Sequence, residues 1–235
     1  MSGTPSERKW SLPGGRLWPV HVALALVLLG CHADDGALAD RSALPSRPGT
    51  TGVVQEVDDG DTVTLTDGRR IRYLGIDTPE RDEPFYGQAK AENRRLVGGK
   101  RIEWRRGGSD AADRYGRILG IVEVTEGGAA VNVNAALVRA GLASVYVRDQ
   151  NSVAPAELSE LLEAQRSALA GRRGLWADRL RRAESISKRL VATRFRLHLD
   201  SCAEIRSRSL PPIASLEGEL KQGKSFCRSC KPLAP

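Results

Sequence analysis

The chain has 235 residues, room for one domain of ordinary size with extensions and too few for several. Hydrophobic residues make up 40% and charged residues 28%, the balance of a soluble globular protein and not of a polytopic membrane protein or a disordered chain. The net charge of +7 is unevenly placed: residues 1–49 carry 5 basic and 4 acidic side chains, 50–178 carry 18 and 20, and 179–235 carry 13 and 5. The C-terminal surplus suits contact with nucleic acid or an anionic lipid surface, or else a flexible, solvated tail.

In chain order, Arg8, Lys9 and Arg16 precede an apolar run from Val20 to Gly30, interrupted only by His21. The run is too short for a membrane-spanning helix and suits the core of a signal peptide. Leu28-Leu29-Gly30-Cys31 resembles a bacterial lipobox, which makes residues 1–31 a lipoprotein-type signal segment ending at a lipidated Cys31; cleavage after Ala37-Leu38-Ala39 is the alternative. Export is therefore expected, to a lipid-anchored place in the bacterial cell envelope or to a secreted or periplasmic one. Residues 32–50 lack periodicity and read as a linker.

Strand patterns begin at Thr51 and run to Val57. Two alternating runs, Thr62 to Thr66 and Arg70 to Ile76, flank Asp67-Gly68, a strong hairpin signal. Pro84 to Gly87 reads as a loop, and Gln88 to Val97 as a helix ended by Gly98-Gly99. Strands are predicted over Lys100 to Arg106 and Arg117 to Thr125, separated by a polar loop. A turn at Glu126-Gly127-Gly128 leads to a short helix over Val131 to Ala140, stopped by Gly141, and to an extended piece from Ala143 to Val147. Ala156 to Ala170 has leucines at helical spacing. Gly174-Leu175-Trp176 closes the compact part, residues 50–178. The pattern predicts an α+β fold: a five-stranded OB-type Greek-key barrel with about three packed helices. Residues 179–235 form a basic, cysteine-containing extension.

The hairpin carries the chemistry. Asp59 and Asp61 precede its first strand, and Asp77 and Glu80 follow its second, so folding it brings the carboxylates around one point with Arg72 nearby. Clustered oxygen donors suit a hard divalent cation, and an arginine beside it suits a phosphate.

Residues 50–178 resemble the thermonuclease, or staphylococcal-nuclease-like, family. The resemblance lies in Asp59-Gly60-Asp61-Thr62, in Arg72 five residues before Asp77-Thr78-Pro79-Glu80, in Asp113-Arg114-Tyr115-Gly116-Arg117, in Asn134 to Ala143, and in Gly174-Leu175-Trp176, all in one collinear order. It implies an OB barrel and Ca²⁺-dependent cleavage of DNA and RNA phosphodiesters. Carried over residue by residue, it implies that Asp61, Asp77 and the backbone carbonyl of Thr78 bind one Ca²⁺ ion, with Asp59 behind them. Glu80 would be the general base, and Arg72 and Arg117 would clamp the phosphate. Arg114, Tyr115 and Tyr146 would contact substrate. The loop from Arg81 to Gly87 looks shorter than in the founding member, which bears on nucleotide preference. The expected partners are DNA and RNA and, through a lipid on Cys31, a membrane; the expected form is a monomer. A rival reading is a non-catalytic nucleic-acid-binding OB module, which should lack some of Asp61, Arg72, Asp77, Glu80 and Arg117, whereas all five are present.

In the extension, His198-x3-Cys202 and Cys227-x2-Cys230 have the ligand count of a structural Zn²⁺ site. A disulfide between two of the three cysteines is the competing reading.

Overall fold

The computed structural model describes residues 50–107, 112–147 and 153–233. The expected signal segment, Cys31 and residues 32–49 of the expected linker lie outside them. All described residues belong to one compact unit, 41–235. Among them no helix is long and apolar enough to cross a membrane.

Five strands close the barrel: β1 (Thr51–Val57), β2 (Thr62–Leu65), β3 (Arg70–Tyr73), β5 (Arg101–Arg106) and β6 (Ile118–Glu126), while the short β4 (Ile76–Asp77) lies outside it. β1 pairs antiparallel with β2 and β5, β2 with β3, and β5 with β6. β3 then meets β6 in parallel, Arg72 opposite Leu119, and completes the ring. Alternation fills the interior, as in β5, where Ile102 and Trp104 point inward between exposed charged neighbours. Val54, Val63, Leu65, Ile71, Tyr73 and Val122 belong to the same buried cluster.

Three helices cover the barrel: α1 (Tyr86–Val97), α2 (Val133–Arg139) and α3 (Pro155–Ala170). The predicted helix from Val131 is shorter at its start, because Ala129–Asn132 forms a further strand, β7, in a hairpin with β6. Asn132 then caps α2, its side chain accepting from the Ala135 N–H. The expected long second hairpin strand is also divided. β3 stops at Tyr73, and β4 pairs instead with β8 (Ser144–Val145).

The extension is folded, which corrects the flexible tail that charge alone allowed. Apolar residues spaced among its basic ones bury a second core. Leu180 of α4 (Leu175–Ser185), Leu197 of β10 (Arg196–Leu199) and Leu220 of α5 (Leu216–Lys221) pack with Leu169, Leu175 and Trp176. β10 lies between β9 (Leu190–Ala192), antiparallel, and β11 (Ser225–Phe226), parallel. Gln165, fully buried on α3, joins the two layers: its side chain accepts from Val145 N at 2.7 Å and donates to Leu220 O at 2.6 Å. Gly141 and Gly174, both at positive φ, let two backbones touch; a Cβ on Gly141 would lie 2.2 Å from Arg173 O. Residues 50–178 alone would expose this shared core, so activity is best measured on the whole chain.

Candidate functional site

β2 and β3 pair Thr62 with Arg72, which sets Arg72 beside Asp61 at the start of β2. The Arg72 Nε lies 3.2 Å from Asp61 Oδ1, and its Nη2 lies 3.5 Å from Asp77 Oδ1. The same guanidinium donates to the carbonyls of Tyr73 at 2.6 Å and Ile76 at 3.0 Å. Its plane is thus fixed from four sides.

Asp61 is 4% exposed. Its Oδ2 accepts from the Thr78 N–H at 2.9 Å and from the Thr78 hydroxyl at 2.8 Å, so the loops before β2 and after β4 are tied together. Gly60 permits the approach, since a Cβ there would lie 2.7 Å from the Thr78 side chain. Asp77 is held opposite Ser144 by the β4–β8 pairing. Asn93 of α1 anchors the acidic loop from below: it donates to the Asp59 carbonyl at 3.0 Å and accepts from the Tyr73 hydroxyl at 2.8 Å.

Crowding shows in the proton affinities. Burial, then the charge of Asp61, pushes the Asp59 carboxyl up to about 6, against the pull of Arg72. Burial also raises Asp77, with Arg228 and Arg72 opposing it and Asp61 adding to it. The donors gathered here are carboxylate oxygens, which fit a hard divalent cation and would relieve this crowding on binding it.

Arg117 stands on a turn built by its own neighbours. Asp113 Oδ1 accepts from the N–H groups of Tyr115 at 2.9 Å and Arg117 at 3.0 Å, and Oδ2 accepts from Arg117 Nε at 2.8 Å. Burial works against the Asp113 carboxylate, but these bonds from Arg117 and Tyr115 hold it below its ordinary value. Tyr115 is 63% exposed between the guanidinium groups of Arg114 and Arg117, 4.8 and 5.3 Å from its ring centre. Glu80 stands at the exposed mouth.

Asp61, Arg72, Asp77, Thr78, Glu80, Arg114, Tyr115, Arg117 and Tyr146 all line one cleft of about 400 Å³. Every site residue expected from the sequence is therefore brought together. Thr78 also engages Asp61 through its N–H and hydroxyl, beyond the carbonyl role expected of it.

Sequence reasoning missed Arg228. Its guanidinium pairs with both oxygens of Asp77, lies 3.5 Å from Glu80 Oε1, and stacks 5.2 Å from the Tyr146 ring centre. Arg196 flanks the same ring at 4.1 Å. A larger adjoining cleft of about 770 Å³ shares Asp77, Glu80 and Arg228 and adds Arg179 and Arg182. The sequence signal, a cationic residue inside Cys227-x2-Cys230, had no visible link to a site 151 residues earlier. In the extension, the donor atoms of His198, Cys202, Cys227 and Cys230 also converge, all within 4.8 Å of one another.

A family model described as staphylococcal nuclease homologue matches residues 70–178. An uncharacterized endonuclease of Escherichia coli is 38% identical over 133 residues, 54% of this chain and 77% of that protein. One of Haemophilus influenzae is 36% identical over 137 residues, 57% of this chain and 70% of that protein. Endonuclease YhcR of Bacillus subtilis is 32% identical over 167 residues, 62% of this chain but 13% of that much longer protein.

Proposed function

Because this chain belongs to the staphylococcal nuclease homologues, we propose that it is a Ca²⁺-dependent nuclease hydrolysing phosphodiester bonds of DNA and RNA. The observation that carries the reading is the convergence of Asp59, Asp61, Asp77, Glu80, Arg72 and Arg117 on one cleft. Asp61, Asp77 and the Thr78 carbonyl would hold the cation. Bound there, Ca²⁺ would offset the negative charge of the substrate phosphate. Glu80, at the solvent-facing mouth, takes the proton of the attacking water. Arg72 and Arg117 donate to the non-bridging phosphate oxygens, where charge builds as the phosphorus becomes five-coordinate. Arg72 is held rigid by its carbonyl bonds and Arg117 by Asp113, so neither must be reordered during the reaction. Arg114, Tyr115 and Tyr146 flank the path of the strand, and the guanidinium groups lying over both tyrosine rings add positive charge beside it. Export through segment 1–31, with lipid attached at Cys31, belongs to the same proposal.

The test is digestion of plasmid DNA, single-stranded DNA and RNA by the whole chain, with millimolar Ca²⁺ or a chelator. Cleavage with Ca²⁺ and none with chelator is expected. Retained binding without any cleavage would make it a binding module instead.

Asp77→Asn should raise the Ca²⁺ concentration needed for half-maximal activity by at least about tenfold, the lower end of what outer-sphere changes cost at metal sites. The amide keeps the shape but gives up the charge facing the cation. Calorimetric titration of Ca²⁺ checks it; an unaltered affinity would remove Asp77 from the ligand set.

A further inference from the structure

We propose that His198, Cys202, Cys227 and Cys230 bind one Zn²⁺ ion, and that this centre holds Arg228 against Asp77 and Glu80. The four donor atoms lie within 4.8 Å of one another. A tetrahedral zinc with Zn–S of about 2.3 Å and Zn–N of about 2.0 Å needs only a small contraction of that cluster. His198 Nδ1 and Cys202 Sγ, 3.4 Å apart, already stand at the spacing of two ligands.

The local fold explains the convergence. β10 carries His198, and its parallel partner β11 ends at Phe226, opposite Leu197. The Cys227 N–H continues that ladder to Leu197 O at 2.8 Å, which sets Cys227 beside His198. The chain then doubles back so that Cys230 joins: Lys231, at φ 40°, donates its N–H to Cys227 O at 3.0 Å. Cys202 arrives on the turn after β10, its N–H bonded to Leu199 O at 2.9 Å. Outer partners are in place as well. The Leu199 N–H points at Cys230 Sγ at 3.4 Å, and the Thr193 hydroxyl lies 3.3 Å from His198 Nε2, leaving Nδ1 for a metal.

The donor set favours a metal over a disulfide, and the small core around it calls for a cross-link. Three thiols cannot all pair, and a disulfide gives the histidine nothing to do. The apolar cluster around them is small, Val191 and Ile205 with Leu210 against the cysteines, so this corner lacks the core that would hold it. Binding is an exchange: each thiol that becomes a ligand loses its proton to solvent, and the Cys227 contact to Glu204 is given up, leaving Glu204 its bond from the Ser229 hydroxyl. Thiolates and imidazole select zinc over calcium, so the cluster and the carboxylate cleft take different ions.

Arg228 lies inside the Cys227-x2-Cys230 turn. Fixing both cysteines fixes the backbone from which its side chain reaches Asp77, Glu80 and Tyr146. The extension thereby becomes part of the cleft.

The experiment uses the whole chain, purified reduced from zinc-containing medium. Elemental analysis should give one zinc per chain, and Cys227→Ser and Cys230→Ser should lose it. Cobalt reconstitution of the unaltered protein needs no variant to fold, and should show the sulfur-to-cobalt charge-transfer band of thiolate ligation. Protein without zinc and without that band, iron in place of zinc, or two thiols locked in a disulfide would overturn the site. For the second half, hydrogen exchange over residues 76–80 should speed up several-fold when zinc is removed. Arg228→Ala, still zinc-loaded, should show the same increase while exchange in β10 stays slow. Unchanged exchange over 76–80 in either case would overturn the link to the cleft.

Discussion

Glu80→Gln should slow phosphodiester cleavage by about 10²–10⁴-fold, the usual contribution of a positioned general base. The amide keeps the size and polarity of the carboxylate but cannot accept the proton of the attacking water. Because Glu80 is an exposed side chain whose neighbour is Arg228 at 3.5 Å, its replacement should leave thermal stability nearly unchanged. Asp61 and Asp77, which would hold the cation, are untouched, so the Ca²⁺ titration should keep its midpoint. Single-turnover rates at saturating Ca²⁺, measured beside that titration, separate the roles. A variant that recovers full rate at higher Ca²⁺ would make Glu80 a ligand and leave the base to another group.

Arg72→Lys is expected to lower turnover by about 10²–10³-fold, the cost of removing one preorganised donor from a transition-state oxygen. Lysine keeps the charge but not the planar fork that bonds two carbonyls while facing Asp61 and Asp77. Arg72→Ala should do more, because it also strips a buried partner from Asp61; breaking such a pair costs about 3–5 kcal/mol. The side chains of Arg72 and Asp61 are 14% and 6% exposed, too enclosed for water to substitute fully. Two measurements distinguish catalysis from support. Arg72→Lys should remain folded by circular dichroism while its rate falls. In Arg72→Ala, added Ca²⁺ should raise the melting temperature more than in the unaltered protein, since the cation neutralises carboxylates left unpaired. Full turnover by Arg72→Lys would show that charge alone suffices and that the fork has no catalytic part.

These side chains differ in how far they could be read from sequence. The hairpin from Thr62 to Tyr73 follows from alternation and the Asp67-Gly68 turn, and it alone sets Arg72 next to Asp61. The Asp113 to Arg117 turn is equally local, because Asp113 bonds residues two and four places on. Those contacts need only backbone geometry and short spacing. Asn93 and Asn134 are different. Asn134 stands in a motif of the resemblance and Asn93 in none, but no local pattern shows what either does: Asn93 carries the acidic loop and Asn134 ties Val122 N to the carbonyls of Leu74 and Gly120. A buried amide finds its partners only after helices dock on the barrel.

By itself, the sequence determined the strands and helices of the barrel and the hairpin that sets Arg72 beside Asp61, because period-two patterning, glycine turns and hairpin register act over a few residues; the family resemblance added the roles of Glu80, Arg117 and the substrate contacts. Tertiary structure alone decided that the basic extension folds, that His198 and Cys202 meet Cys227 and Cys230 across 24 intervening residues, and that Arg228 enters the cleft. Those outcomes rest on the parallel pairing of β10 with β11 and on Leu180, Leu197 and Leu220 burying themselves against Leu169 and Trp176. Such contacts are non-local. Their free energy comes from apolar surface that becomes complementary only once the barrel and its helices exist.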